Sequence, residues 1–382
     1  MSRIMISAGG TGGGVYPALS VAAALRKLYS RASADAQSDS LTMTFVGARG
    51  DMARDLVARE KVDFDGYHEI LAGPLHGVPR VQQIMSAIKI LIGVLQSIWL
   101  VIRLRPQVLF LTGGWVGFPV AAACWLLRVP IVIYVPDIEP GLALKVLGRY
   151  FARIIAATVQ ATAEYFPGKE VVETGYPLRG NLQHVENVDR DAGIAHFNLD
   201  PNRRTLLVFG GSRGARSINR VLMTLAPDLI AQGVQILHLT GNLDWENVQA
   251  DHAALSADIQ AHYQIMPYLS DMRYAFLAAD LVISRAGAAT LAEYPEFGLP
   301  ALLVPYPYAW RYQKINADWL VDRGAALRLN DETLATDLLP VIRDLLGTDQ
   351  HKLNQMRSAM AALKRSDGAV NIARLLVRTA QG

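Results

Sequence analysis

Two stretches of this chain, about two hundred residues apart, follow the same plan, and that repetition limits the fold more than any other feature. The first runs from the apolar Ile4-Met5-Ile6-Ser7-Ala8 through Gly9-Gly10-Thr11-Gly12-Gly13-Gly14 into a helix-like segment, Pro17 to Leu28. The second runs from Leu206-Leu207-Val208-Phe209 through Gly210-Gly211-Ser212-Arg213-Gly214-Ala215 into Ile218 to Leu225. Each opens its own alternation of apolar strands and helices. Met43–Val46, Val108–Leu111, Ile131–Tyr134 and Ile154–Ala157 follow the first, and Gln235–Leu239, Leu281–Ile283 and Ala301–Val304 follow the second. Unbroken apolar strands alternating with helices require parallel sheets covered on both faces. The expected fold is therefore α/β, with two Rossmann-like parallel-sheet domains facing a cleft. Strand and helix signals lapse around Phe166-Pro167-Gly168-Lys169 and Gly175-Tyr176-Pro177, which divides the chain into domains 1–165 and 166–382. The final stretch, Asn371 to Ala380, reads as a helix that packs back on the first domain.

A length of 382 residues suits two domains of ordinary size. With 51% hydrophobic and 19% charged residues, the chain has material for two cores and none of the signature of disorder. The single cysteine, Cys124, lies in an apolar run, which excludes a disulfide framework and a cysteine metal cluster and favours a reducing compartment. Ile4 to Ala8 lacks the basic leader and long apolar stretch of a secretory signal. A net charge of +3 is too small to suggest nucleic acid, but residues 1–170 hold 17 Lys and Arg against 12 Asp and Glu, so the positive excess lies in the first half.

Glycine turns between strand and helix let backbone amides approach phosphate oxygens at the positive end of a helix. The dinucleotide fingerprint fails here, because Val15 stands where its third glycine is required, and neither loop continues into the Lys-Ser or Lys-Thr of a P-loop. A third segment, Ser284-Arg285-Ala286-Gly287-Ala288-Ala289-Thr290-Leu291-Ala292-Glu293, also leads from a strand into a helix. There Gly287 to Thr290 offer amides and a hydroxyl to a pyrophosphate, and Glu293 offers a carboxylate to a ribose diol. The plainer reading is a helix start with an exposed acid. Gln313 and Asn316, three residues apart at the start of a later helix, offer side-chain amides to sugar hydroxyls. Loops at the carboxyl ends of parallel strands share one crevice, where ligands bind.

Together these segments resemble the GT-B glycosyltransferases and, within them, the MurG family. The resemblance covers nearly the whole chain. It rests on Gly9-Gly10-Thr11-Gly12-Gly13 with Val15 and Pro17, on Gly113-Gly114-Trp115-Val116, and on Gly175-Tyr176-Pro177-Leu178-Arg179. Gly210 to Ala215, Arg285 to Glu293, and Gln313 with Asn316 complete it. It implies transfer of N-acetylglucosamine from UDP-GlcNAc to an undecaprenyl-pyrophosphate-linked muramoyl peptide, by inversion at the anomeric carbon and without cofactor. By that resemblance Arg179 and Ser212 hold the diphosphate, and Leu269 lines the uracil pocket through its backbone. Ala288, Ala289 and Thr290 face the phosphates, Glu293 binds the ribose, and Gln313 binds the transferred sugar. Thr11, Gly12 and Gly13 of the first loop and Asn316 join the UDP-GlcNAc site.

The departures fall in the first domain. Family members usually carry histidine where this chain has Gly14, and His-Glu-Gln-Asn where it has Tyr134-Val135-Pro136-Asp137. Two residues stand as the base that deprotonates the acceptor: Asp137, which could instead cap the helix expected near Pro140, and His76, which could instead be a solvated loop residue. Asp63-Phe64-Asp65 and Asp189-Arg190-Asp191 imitate a metal-binding Asp-x-Asp, but neither follows a buried strand, so both read as surface charge and no metal is expected.

The segment Ile84 to Leu104 has two readings. One is the buried covering helix of a Rossmann domain. The other is a helix resting on an anionic bilayer, flanked by Arg80, Lys89, Arg103 and Arg105, with Lys145, Arg149 and Arg153 adding positive charge. Lys89 and Gln96 interrupt it, which argues against spanning. The expected place of work is the cytoplasmic face of the membrane, peripherally bound, with UDP-GlcNAc and a lipid-linked muramoyl acceptor as partners and no nucleic acid. Three rivals remain: a transferase for another glycolipid, a non-catalytic sugar-nucleotide-binding protein, and an epimerase-type hydrolase, which should bring extra acids to the donor.

Overall fold

The computed structural model describes residues 2–381 except 10–11, 35–39, 76, 184–188, 212–213, 308–311 and 348; of residues 31–34 it describes the backbone only. It contains two sheets. The first comprises β1 (Ser2–Ser7), β2 (Leu41–Ala48), β3 (Gly66–Ile70), β4 (Val108–Leu111), β5 (Ile131–Val135), β6 (Ile154–Ala157) and β7 (Glu170–Glu173), in the order β3-β2-β1-β4-β5-β6-β7. The second comprises β8 (Arg204–Phe209), β9 (Val234–Leu239), β10 (Tyr263–Met266), β11 (Leu281–Ser284), β12 (Ala301–Leu303) and β13 (Ala326–Arg328), in the order β10-β9-β8-β11-β12-β13. All pairings are parallel. In each sheet the order reverses beside its first strand, at β1/β4 and at β8/β11. That is the Rossmann switch point, where loops at the carboxyl ends diverge and leave room for a ligand.

The chain forms two compact units, residues 1–180 with 367–382, and residues 181–366. The first extends past residue 165 because β7 pairs with β6 and completes its sheet. It also takes the last helix, Gly368–Gln381, whose Ile372, Ala373 and Leu376 share a core with Val15, Leu19 and Ala22 of the helix Gly12–Ala34. Gly368 permits that seat, since a β-carbon there would run into the Tyr176 carbonyl. In the second unit, Ile218, Leu222 and Leu229 of the helix Arg216–Ala231 and Leu338, Ile342 and Leu345 of the helix Leu334–Leu346 bury one face of the sheet.

The helix Arg80–Leu104 corrects one of the two sequence readings. It is not a buried covering helix: only 28% of its most apolar window is buried. Its inward residues are small, Ser86, Gly93 and Ser97 together with Leu100 and Val101. A β-carbon at Gly93 would collide with the Leu71 carbonyl, so close packing demands glycine there. The large residues Val81, Ile84, Ile88, Leu91, Leu95, Trp99 and Ile102 form an exposed stripe at helical spacing. Trp125 and Leu126, at the end of the neighbouring helix Gly117–Leu126, are exposed as well.

Candidate functional site

In the second unit, four loops at the carboxyl ends of β8, β10, β11 and β12 carry the residues singled out for the donor. The loop after β8 bends through Gly211 (φ +83°) and Gly214 (φ +76°), and a β-carbon at Gly214 would strike the Thr240 carbonyl. Glycine is therefore required by close backbone approach, independently of any ligand. Ser212 lies outside the described residues. After β11 the chain enters the helix Thr290–Phe297. The Thr290 and Leu291 amides are spent on the Gly287 and Ala288 carbonyls, and the Thr290 hydroxyl donates to the Gly287 carbonyl at 2.7 Å. Thr290 is buried, so its hydroxyl braces the turn. The Gly287, Ala288 and Ala289 amides have no backbone acceptor among the described residues, so this helix start presents donors to an anion. Glu293 lies in its first turn, partly exposed. Leu269 follows β10 in the same set of loops, also partly exposed.

Gln313 and Asn316 part company. Gln313 is partly exposed, and its Oε1 accepts from the Tyr306 amide at 2.9 Å, which orients the carboxamide. Asn316 is fully buried and donates to the Ala286 carbonyl at 3.2 Å. Its place is behind the loop after β11, which it holds, and not on a sugar.

The residue that ties this set of loops together was quoted in the sequence but given no role. Arg285 donates to the Val304 and Pro305 carbonyls at 3.0 and 3.3 Å, to Ser217 Oγ at 2.9 Å and to Asp331 Oδ1 at 2.6 Å. Ser217 Oγ donates in turn to Asp331 at 2.7 Å. One guanidinium thus fastens the loops after β11 and β12, the helix after β8 and the segment after β13. Ser284 Oγ and the buried Tyr294 hydroxyl, 2.5 Å apart, add a second tie within the β11 turn. Beneath these loops His238 is fully buried between Tyr263 (2.9 Å) and Asn219 (2.9 Å), and burial holds its pKa down at about 3, against a smaller opposing pull from Asp244.

In the first unit, the helix that follows the first glycine loop begins at Gly12, so the amides of Gly12 and Gly13 belong to the first turn, whose donors have no acceptor within the helix. Thr11 lies outside the described residues. Gly14 is held by Thr112, whose hydroxyl donates to the Gly14 carbonyl at 2.7 Å, and a β-carbon at Gly14 would lie 3.2 Å from the Gly9 carbonyl. Arg179 stacks on Tyr16, its Cζ 3.5 Å from the ring centroid, so this arginine sits beside the glycine-loop helix. Asp137 lies in the loop after β5, partly exposed, at the same end of the sheet. The capping alternative does not hold: the next helix is Leu142–Tyr150, with Gly141 at its N-cap and no side-chain cap. His76, the other base candidate, lies outside the described residues. Tyr134 and Val135 are both fully buried, with the Tyr134 hydroxyl 2.7 Å from Thr158 Oγ1. Of the departing segment, only Pro136 and Asp137 reach the surface.

The Asp-x-Asp imitations behave as surface charge. Asp65 pairs with Arg26 at 2.7 Å, Asp63 is exposed, and Asp189 caps the helix Arg190–His196 by accepting from the Ala192 amide. Among the described residues no three His, Cys, Asp or Glu side chains converge.

Comparison with known proteins decides the family. Residues 4–156 match the model described as glycosyltransferase family 28 N-terminal domain, and residues 205–372 match glycosyltransferase family 28 C-terminal domain. The chain belongs to glycosyltransferase family 28. The family relatives include the UDP-N-acetylglucosamine–N-acetylmuramyl-(pentapeptide) pyrophosphoryl-undecaprenol N-acetylglucosamine transferase of Roseiflexus sp. (strain RS-1), 36% identical and aligned over 98% of this chain and 94% of that one. The enzyme of the same name from Halothermothrix orenii is 33% identical over the full length of both. Among solved structures, Acinetobacter baumannii MurG superposes with a TM-score of 0.76 at 25% identity, over 99% of this chain and all of that one. This agrees with the resemblance to the MurG family read from the sequence. A putative UDP-N-acetylglucosamine 2-epimerase from Listeria monocytogenes, at 12% identity and a TM-score of 0.67 over 98% of this chain and 95% of that one, shares the fold alone.

Proposed function

We propose that this family 28 member transfers N-acetylglucosamine from UDP-GlcNAc to the undecaprenyl-pyrophosphate-linked muramoyl pentapeptide of peptidoglycan synthesis. The observation that carries this reading is end-to-end similarity to enzymes named for that reaction, 36% over 98% of the chain in one case. The donor-side loops support it. The Gly287–Ala289 amides receive the diphosphate, Glu293 the ribose and Gln313 the sugar, with Leu269 against the uracil and Ser212 and Arg179 adding donors to the phosphates. Thr11, Gly12 and Gly13 of the first glycine loop are assigned to UDP-GlcNAc as well.

The acceptor hydroxyl oxygen forms a bond to the anomeric carbon from the face opposite the leaving group, and the bond to the UDP oxygen breaks. The acceptor proton passes to the Asp137 carboxylate, and the electrons of the broken bond go to the diphosphate. Fixed amide and guanidinium donors stabilise that growing charge, and a positioned base lowers the barrier to attack.

The lipid-linked acceptor would be met at the membrane surface. The exposed stripe from Val81 to Ile102, continued by Trp125 and Leu126, rests its apolar side in the interface, and Arg80, Lys89, Arg103 and Arg105 meet anionic headgroups. The place of work is the cytoplasmic face, peripherally bound.

The test supplies purified protein with labelled UDP-GlcNAc and a panel of lipid-linked acceptors. Label should enter the muramoyl-pentapeptide lipid with one UDP released per sugar. Transfer only to another glycolipid, or donor binding without turnover, would overturn the proposal. In the same assay Asp137→Asn should keep donor affinity and lose about two to four powers of ten in turnover; near-normal turnover would remove Asp137 as the base and turn attention to His76.

A further inference from the structure

At the amino ends of β8, β11 and β12, the end of the second sheet away from the donor loops, lies a pocket of about 550 Å³. Arg190, Arg204 and Arg357 line it around one carboxylate, Asp280, whose side chain is only 4% exposed. Asp280 is already saturated. Its Oδ2 accepts from the Thr205 amide at 2.9 Å and from Arg190 Nη2 at 3.4 Å, its Oδ1 accepts from Arg204 Nη1 at 3.1 Å, and Arg357 Nη2 lies 3.9 Å from Oδ1.

Three guanidiniums surround one carboxylate, a local excess of two positive charges in a concave site. Charge neutralisation of Asp280 needs one arginine; the other acceptors, the Arg203 carbonyl for Arg190 and Asn354 Oδ1 for Arg357, are neutral and leave the positive excess in place. Arg190 Nη2 also donates to the Arg203 carbonyl at 3.1 Å, and its Nε is enclosed by protein, so the pocket-facing charge is carried chiefly by Arg204 and Arg357. The rest of the wall is mixed: Asn202 and Arg203 are polar, and Leu277, Phe297 and Leu299 form an apolar side. A volume of this size accommodates a small organic molecule. Guanidinium forks match the oxygens of a phosphate better than any other biological anion except a carboxylate, and a phosphate brings enough charge to balance the excess.

The geometry points to a second ligand site here, for the phosphate or diphosphate group of a small organic phosphate, with its carbon skeleton on the Leu277–Phe297–Leu299 wall. It is separate from the donor loops, which lie at the other end of the same strands. The same headgroup chemistry is offered by soluble metabolites and by anionic phospholipids.

Calorimetric titration with inorganic pyrophosphate, carried out with and without saturating UDP, tests the site. Wild type should bind pyrophosphate in both conditions, and R204Q/R357Q should bind it at least tenfold more weakly with UDP affinity unchanged. R220Q, which removes an exposed arginine elsewhere, should bind as wild type. Flotation with phosphatidylglycerol vesicles forms the second arm. A deficit of R204Q/R357Q beyond that of R220Q there, with pyrophosphate inactive, would support the site with a lipid headgroup as its source. If R204Q/R357Q fails to fold, R204K/R357K replaces it; loss of the paired fork donors should still cost several-fold in affinity. No binding by wild type, or no difference between the variants in either arm, overturns the site.

Discussion

Removing Asp331 should cost more stability than removing Asp331 and Arg285 together. The two side chains are only 16% and 11% exposed and meet at 2.6 Å. Asp331→Leu leaves a guanidinium in that setting without its counter-ion, and breaking one side of a buried pair costs about 3–5 kcal/mol. Arg285 keeps the Val304 and Pro305 carbonyls and Ser217 Oγ as neutral acceptors. Those contacts hold the loss near the lower end of that range, about 3 kcal/mol, since the remaining charge is still hydrogen-bonded. At roughly 2–4 °C per kcal/mol for a unit of this size, the second unit should melt about 6–12 °C lower. Arg285→Met with Asp331→Leu removes the stranded charge, and its cost should fall to about 1–2 kcal/mol because apolar groups of similar volume replace a buried pair nearly neutrally. Calorimetry on the two variants reads the difference. UDP affinity should drop in both, since the loops after β11 and β12 lose their common anchor. A double variant as unstable as the single one, or a single variant within about 0.5 kcal/mol of wild type, would refute the view of this pair as a buried and coupled anchor.

Glu293→Ala should weaken UDP-GlcNAc binding by roughly 1–3 kcal/mol, the worth of charged hydrogen bonds to hydroxyls, with the melting temperature unchanged; calorimetry showing unaltered affinity removes Glu293 from the ribose site. His238 has a folded pKa of about 3, below its unfolded value, so it contributes stability in full above about pH 6.5 and loses it as pH falls toward the folded pKa. His238→Gln should therefore flatten the dependence of unfolding free energy on pH between about 6.5 and 5 by up to about 1.4 kcal/mol per pH unit; an unchanged slope in denaturant titrations would contradict it. Leu91→Glu with Leu95→Glu, on the exposed stripe, should abolish flotation with anionic vesicles while leaving UDP affinity intact, and retained flotation would move the membrane surface elsewhere.

Nine of the thirteen strands among the described residues were legible as largely apolar runs, and the four that were not are β3, β7, β10 and β13, the two edges of each sheet. An edge strand is covered less and is freed from apolar continuity. Gly66–Ile70 buries one residue of five, and Glu170–Glu173 buries none. The signals lapse between Phe166 and Pro177, and β7 within that stretch pairs with β6, so the first unit runs to residue 180. The same limit explains the helix Arg80–Leu104. It is apolar on nearly every side, so periodicity could not tell its inner face from its outer one. Only the packing shows that Ser86, Gly93 and Ser97 face in along most of the helix, with Leu100 and Val101 near its end, while the large residues of the exposed stripe face out. Gln313 and Asn316 were assigned to one face because they are three residues apart. That spacing still rotates the side chain by about 60° from alignment, enough to leave one at the rim and bury the other under Ala286. The Arg285–Asp331 tie joins residues 46 apart in sequence through loops whose meeting depends on strand order, and no local pattern announces it.

The departures from the family pattern change meaning once the strand is in place. On the sequence, Tyr134-Val135-Pro136-Asp137 stands where the family usually carries four polar residues. β5 is an inner strand of a parallel sheet packed on both faces, so neither side of it faces water and both Tyr134 and Val135 belong to cores. Tyr134 keeps its hydroxyl satisfied through Thr158, whose own hydroxyl donates to the Pro136 carbonyl at 2.8 Å and so holds the exit of the strand. Two of the four replacements thus alter packing. The first ionisable side chain of the segment to reach the surface is that of Asp137. A carboxylate there retains proton-accepting capacity that the family's asparagine lacks. Within the departing segments, the positions that bear on the acceptor are therefore Gly14 and Asp137, and the proposed base Asp137 is tested against His76 by the Asp137→Asn assay.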